Sequence, residues 1–472
     1  MQKRILAVVA AGLWLAGGLP VAAQEVGKVP PVSQEQVQLS FAPVVKKTAP
    51  AVVNIYTRKL VQQRVFSPFM NDPFFQHFFG GNMPQGMSRK RLESSLGSGV
   101  LVRPDGLIVT SNHVIDGADE ITVVLSDRRE FEAQLVSADN RSDLAVLKID
   151  PKGEALPHLG LRDSDEAEVG DLVIAIGNPF GVGQTVTSGI VSAIARTSLD
   201  LNDINYYIQT DAAINPGNSG GALVGMDGRL IGINAAIYTK DGGNMGLGFA
   251  IPSNMVRAMV ESYAQGNHAI IRPWTGVTGQ AVTADVAASL SLARPSGLLV
   301  NGLHQASPAK KAGLKVGDVI ASVNGKAIDD PAAFSYRIAT MPVGGEVVLD
   351  VLQAGKQEQI RFKLIAPPEV PARDETLLKG RHPLSGVKVA NASPAVVEQY
   401  ALHGVEKGVV VVEVAPSSAA VRLGLDRGDV ILGVNDQKTP LVKDLVEVLS
   451  TPVRGWQITI LRDGQRVNML VR

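Results

Sequence analysis

Asn215-Pro216-Gly217-Asn218-Ser219-Gly220-Gly221-Ala222 is the stretch that separates two readings of this chain. A serine hydroxyl is a weak nucleophile until a neighbouring base takes its proton. It also needs backbone N–H groups aimed at the oxyanion, and flanking glycines let the backbone form that tight nest. Taken alone, the octet is equally a glycine-rich turn with a solvent-facing serine. It also satisfies Gly-x-Ser-x-Gly, the strand-to-helix elbow whose acid and histidine follow the serine. Here Ala222-Leu223-Val224 leads to Asp227-Gly228 and then to Leu230-Ile231-Gly232-Ile233-Asn234, a second strand. The helix that an elbow requires is absent, so the octet belongs to a β protein.

The partners of Ser219 must then lie upstream. Val109-Thr110-Ser111-Asn112-His113-Val114-Ile115 places a histidine just after a strand. Of the seven histidines, those at 77, 158, 268, 304, 382 and 403 lack comparable flanks, and His158 and His304 read as surface residues. Asp143 opens the apolar run Leu144–Ile149. Histidine, aspartate, serine is the chain order of the trypsin-like triad. Around these residues, short β-type runs alternate with turn signals: Ala51–Tyr56, Gly99–Val102, Ile121–Leu125, Leu172–Ile176 and Leu230–Asn234. Such spacing reads as a sandwich or a pair of barrels. Met255 to Ala264 has helical spacing and would close the domain.

At 472 residues the chain is too long for one core. Lys plus Arg equals Asp plus Glu at 45 each, so no global charge points to nucleic acid. Lys3 and Arg4, the apolar run Ile5–Leu19 and Val21-Ala22-Ala23 read as a signal peptide cleaved after Ala23, with no transmembrane anchor. The chain has no cysteine, so it owes nothing to disulfides in the oxidising space beyond, and a bacterial periplasm fits. From Arg58 to Ser98 the pattern breaks down into a long loop. It holds Phe66, Phe69, Phe74, Phe75, Phe78 and Phe79, half of the twelve phenylalanines. Beyond Pro273 the chain repeats itself at an offset of 111 positions: Gly297-Leu298-Leu299-Val300 matches Gly408–Val411, and Ala312–Ile320 matches Leu423–Ile431. Two copies indicate tandem domains rather than a solenoid. The expected divisions are a protease domain over 24–265, repeats over 273–366 and 383–472, and a Pro-rich linker over 367–382.

Thr110–Val114, Ser142–Leu147, Gly217–Gly221, Gly246-Leu247-Gly248-Phe249-Ala250-Ile251-Pro252 and the two repeats together resemble the HtrA serine proteases, in their DegP/DegQ branch. The resemblance covers nearly everything after the signal peptide. It implies a mainly β fold, with a trypsin-like double β-barrel followed by two PDZ domains. It implies that His113 is the general base, that Asp143 orients it, and that Ser219 is the nucleophile. The oxyanion hole would come from Gly217, Asn218 and Ser219, and no metal or cofactor would be needed. Ile214, Tyr238 and Leu247 would line the specificity pocket, with Ala235, Ala236, Ile237, Tyr238 and Thr239 pairing with substrate backbone. No acid falls in the pocket, so small aliphatic P1 residues are expected. Gly297, Leu298, Leu299 and Val300, like Gly408–Val411, would form a carboxylate-binding loop leading into an edge strand. The first repeat would capture peptides and the second would serve assembly. Residues 195–203 would be the sensor loop, with Arg196 as its relay contact.

The function so implied is ATP-independent endoproteolysis of unfolded or damaged periplasmic proteins, joined to chaperone activity. PDZ-bound peptides and assembly would regulate it, in a homotrimer that can build larger cages. Two other readings stand beside it: a holdase with a vestigial triad, and a membrane-anchored stress sensor cutting one target. The intact triad with its flanking glycines favours the enzyme. The two repeats and the cleavage site count against the sensor.

Overall fold

The computed structural model describes residues 40–61, 91–178, 183–196, 206–215, 217–237, 246–266, 271–290, 292–416, 418–451, 453, 455–462 and 464–471. The segment expected to be a signal peptide, the centre of the phenylalanine-rich stretch, residues 197–203 of the expected sensor loop, and Tyr238 and Thr239 lie outside them. Pro43 onward forms one compact unit.

Two β layers make up the first half. The first is a seven-stranded sheet of β1 (Val52–Val61), β2 (Arg91–Arg103), β3 (Leu107–Ser111), β4 (Glu120–Val124), β5 (Glu130–Glu132), β6 (Gln134–Asp139) and β7 (Leu144–Lys148). Their order is β5-β4-β1-β2-β3-β7-β6. The second is a closed barrel ordered β10-β13-β12-β11-β8-β9. Its strands are β8 (Leu172–Gly177), β9 (Thr185–Arg196), β10 (Tyr207–Thr210), β11 (Ala222–Gly225), β12 (Leu230–Ile237) and β13 (Gly248–Pro252). Strands β3 and β11 are buried at every position. They read as continuous apolar runs because both of their faces are covered, whereas a half-solvated strand alternates. A four-residue helix α1 (Asn112–Ile115) follows β3, and α2 (Ser253–Ala264) follows β13.

The long loop expected over Arg58–Ser98 is shorter at both ends. Arg58–Val61 and Arg91–Ser98 are not loop; they are the outer rungs of the β1–β2 hairpin, paired from Val52 with Val100 out to Val61 with Arg91. Backbone pairing carries these rungs although their side chains show no apolar pattern.

The two repeats fold alike. The first comprises β14 (Val277–Ala281), β15 (Leu298–Leu303), β16 (Val319–Val323), β17 (Lys326–Ala327), β18 (Glu346–Gln353) and β19 (Lys356–Lys363), with helix α3 (Pro331–Ala339). The second comprises β20 (Thr376–Leu377), β21 (Val387–Asn391), β22 (Val409–Val414), β23 (Val430–Val434), β24 (Gln437–Lys438), β25 (Trp456–Arg462) and β26 (Gln465–Val471), with helix α4 (Val442–Ser450). Their main orders are β14-β15-β16-β18-β19 and β20-β21-β22-β23-β25-β26. These orders overturn the reading of Gly297–Val300 and Gly408–Val411 as leading into edge strands. Both β15 and β22 have a neighbour on each side, so their backbone groups are already paired. The edge next to β15 is β14, which has no second strand partner among the described residues and which the chain reaches through Trp274-Thr275-Gly276.

Candidate active site

Asp143 sits at the turn before β7 in the left-handed region, with φ of 54°. That conformation costs about 1 kcal/mol or more for a residue with a side chain, and aspartate is among those that tolerate it. Its effect is to aim both carboxylate oxygens at one residue. Oδ1 accepts the His113 backbone N–H at 2.9 Å and Oδ2 faces His113 Nδ1 at 2.7 Å. The Asp143 carbonyl accepts the Asn112 N–H at 2.9 Å, and Asn112 donates its side-chain amide to Asn140 at 2.7 Å. The short helix α1 is thus held to the Asp143 turn by backbone and side chain together.

Burial disfavours a charged imidazole, but the Asp143 charge and hydrogen bond outweigh it, and the His113 pKa is raised above its ordinary value. The acid therefore stabilises the imidazolium that forms when the ring accepts a proton.

Ser219 arrives from the other layer. Its carbonyl accepts the Ser98 N–H at 2.9 Å, and the buried Ser98 hydroxyl donates to the Gly217 carbonyl. The same hydroxyl accepts the Asn178 N–H at 2.8 Å, which ties β2 to the end of β8. Gly220 has φ of 81°, and a Cβ there would meet the Ser98 carbonyl at 2.1 Å and Thr110 Oγ1 at 2.3 Å. The turn after the serine thus presses on Thr110 and Ser111, the last residues before Asn112 and His113. Sequence reasoning missed Ser98, Thr110 and Asn178 as supports; the only signal was that Ser98 lies between Gly97 and Gly99.

Within the turn, Asn218 N–H donates to Asn215, Gly220 N–H to Asn234 and Gly221 N–H to Asn218. Among the described residues none accepts from the Gly217 or Ser219 N–H, so these two donors remain available. No hydrogen bond joins Ser219 Oγ to His113; catalytic hydrogen bonds of this kind often tighten only in the complex with substrate. Among the described residues no cluster of three or more ligating side chains could hold a metal.

Ile214 is buried in the core of the second barrel and lies against Gly248, next to Leu247. β12 pairs with both β11 and β13 only as far as Ile233. Past a bulge at Ala235 it pairs only with β13 among the described residues, so Ala236 and Ile237 have one side without a strand partner there, beginning where Asn234 bonds the serine turn. Arg196 ends β9, opposite Tyr207. Beside it lies a contact that the sequence did not announce. Tyr206 stacks on Tyr336 of α3, with ring centroids 3.7 Å apart, and Arg337 pairs with Asp165. Helix α3 of the first repeat thus rests on Tyr206, three residues beyond the segment expected to be the sensor loop.

Comparisons with known proteins agree with this fold. Residues 97–233 match the trypsin-like peptidase domain, and residues 276–364 and 385–472 match the PDZ domain. The chain is 40% identical over 443 residues to a probable periplasmic serine protease do/HhoA-like of Haemophilus influenzae, covering 92% of each. It is 37% identical to the periplasmic serine endoprotease DegP of Escherichia coli, covering 100% of each. With the pH-dependent periplasmic endoprotease DegQ of that organism it shares 36%, over 100% of this chain and 99% of the relative. A solved structure, the HtrA-type protease AlgW with decapeptide, is 44% identical with a TM-score of 0.52, covering 70% of this chain and 99% of that one. Among the described residues no helix is long and apolar enough to cross a membrane. A trypsin-like peptidase domain, two PDZ domains and full-length relatives of this kind place the chain in the HtrA family of serine endopeptidases, with the periplasmic DegP and DegQ proteases.

Proposed function

We propose that the chain is an ATP-independent endopeptidase that degrades unfolded or damaged proteins in the periplasm, exported by a signal peptide cleaved after Ala23. The observation that carries the chemistry is the double grip of Asp143 on His113, beside a serine turn fastened to Ser98 and packed against Thr110. His113 takes the Ser219 proton, and Ser219 Oγ attacks the scissile carbonyl. The Gly217 and Ser219 N–H groups receive the oxyanion. His113 returns its proton to the leaving amine, and water then hydrolyses the acyl-enzyme. Substrate backbone adds to the open side of Ala235–Ile237, and Ile214 with Leu247 favours a small aliphatic P1.

Peptide capture falls to β14, whose outer side is open, so a peptide adds there as a strand against α3. That helix bears on Tyr206 and Asp165, which gives a bound peptide a physical route to the sensor loop and its Arg196. An exposed strand edge also suits holding unfolded segments, the basis for chaperone activity within a homotrimer or larger cage. The deciding experiment is casein digestion by the full chain and by Ser219→Ala. Digestion is expected to vanish in the variant; equal rates would remove Ser219 from the mechanism.

A further inference from the structure

The two PDZ domains come from one repeat, yet their peptide-facing edges differ. β14 has β15 on one side and, among the described residues, no strand on the other, and all its residues are half-buried or exposed. The corresponding strand β21 has β22 on one side and β20 on the other, and every residue but Lys388 is buried. Gly276 and Gly386 establish the correspondence. Each is left-handed, with φ of 67° and 87°, and immediately precedes its strand. The carbonyl of each accepts from the segment after the next strand, from His304 N–H at 2.9 Å and from Ala415 N–H at 3.1 Å.

The covering strand is the chain's own connector. Thr376 faces Val389 and Leu377 faces Lys388 in an antiparallel pair. Leu378 N–H donates to the Val387 carbonyl and Gly386 N–H to the Leu378 carbonyl, both at 2.9 Å. At the far end Asn391 N–H donates to the Arg373 carbonyl, and its side-chain amide to the Ala372 carbonyl, both at 2.7 Å. An ion pair between Glu375 and Lys388 spans the middle. Leu378 is 2% exposed and packs in one cluster with Val387 and Val389 of β21 and Val442, Leu445 and Leu449 of α4.

A peptide captured by strand addition pairs with the edge, sinks an apolar side chain between strand and helix, and lodges its terminal carboxylate on N–H groups at the strand's start. Residues Arg373 to Leu378 do each of these, with the Leu378 carbonyl on the Gly386 N–H. We infer that this segment is a resident pseudo-ligand: it fills the peptide groove of the second PDZ domain in cis and closes it to other chain termini until the segment is released. A tether holds such a segment at an effective concentration on the order of 1 mM. If its untethered affinity were about micromolar, the closed form would prevail by roughly 10³ to one, and a free peptide would bind about 10³-fold more weakly. The inference goes beyond capture at β14 and uses that reading only for the first site in the count below.

The absence of cysteine makes the test clean. In full-length protein carrying Ser219→Ala, Leu377→Cys with Lys388→Cys would lock the strand by a disulfide. The probe is a fluorescein-labelled ten-residue peptide ending in an apolar residue with a free carboxylate, counted per protomer by equilibrium dialysis. The disulfide is expected to close fully, and both the parent and the oxidised protein should bind one peptide. Leu378→Asp should bind two, the second at least about 10²-fold more tightly than any second site in the parent. Hydrogen exchange across β21 to β26 reports whether that domain stays folded; if protection is lost, Leu378→Ala carries the count. Failure of the disulfide to form, more peptides on the oxidised protein than on the parent, or a folded Leu378 variant that binds no more peptide than the parent would overturn the assignment. No peptide on the parent but one on the folded variant would sink capture at β14 and leave this inference standing.

Discussion

Replacing Asp143 by Asn separates the chemistry of the acid from its structural role. Asparagine tolerates the left-handed backbone as aspartate does, so the φ of 54° is no obstacle. Its single amide oxygen must choose between two donors. The His113 backbone N–H, fixed at 2.9 Å from Oδ1, claims it, which turns the amide N–H₂ toward Nδ1. Nδ1 must then accept, so the ring proton moves to Nε2, the atom that has to be bare to act as base. The expected loss in kcat is about 10⁴-fold, the size of a wrong-tautomer defect, or about 5 kcal/mol of barrier. The assay is kcat/KM on a fluorogenic peptide with P1 Val, from pH 5 to 9. The parent's activity should rise with pH through an imidazole pKa raised by Asp143. In the variant burial is left unopposed, and the limb of the residual activity should move to lower pH. Stability has the opposite pH sign. A raised folded-state histidine pKa stabilises the fold at low pH, and that contribution fades as pH rises through it. The variant should therefore lose Tm at pH 5 and hardly change at pH 8. A loss of less than tenfold with an unmoved acid limb would refute this reasoning.

Three further outcomes follow from the same geometry. Gly220→Ala combines left-handed strain with contacts of 2.1 and 2.3 Å; it should cost about 2–5 kcal/mol in denaturant unfolding, measured with Ser219→Ala to prevent autolysis, and the same change in active protein should slow fluorophosphonate labelling of Ser219 about 10²-fold. Arg337→Ala and Asp165→Ala break a largely buried pair; each should loosen hydrogen exchange in α3, and a double-mutant cycle should return a coupling of about 1–3 kcal/mol, whereas additivity would show that the pair does not hold the domains. A peptide library should show cleavage after Val and Ala at least about 10²-fold faster than after Lys or Arg, since a cation set against the apolar side chains of Ile214 and Leu247 loses its hydration; equal rates would displace Ile214 from the proposed pocket.

The proposed triad was legible because each member carries its local frame: glycines around Ser219, a strand before His113, and a strand after Asp143. The repeat was legible because the two copies keep their matching segments at one spacing, 111 positions apart. The supports of the site were not. Ser98 reads as one serine among many until β2 is laid beside the 217–221 turn, and Tyr206 and Tyr336 lie 130 positions apart before they stack. The hairpin rungs at Arg58–Val61 and Arg91–Ser98 likewise depend on pairing that no apolar pattern marks.

The amino-acid order by itself therefore determined the family, the mainly β architecture, the candidate nucleophile, base and acid, and the two tandem domains. Tertiary structure alone decided which strands are edges. An edge is defined by the partner it lacks, and partners come from distant residues. β15 and β14 are neighbouring short strands, but only β14 lacks a second partner among the described residues. β21 would be as open, had the connector not folded back to pair with it.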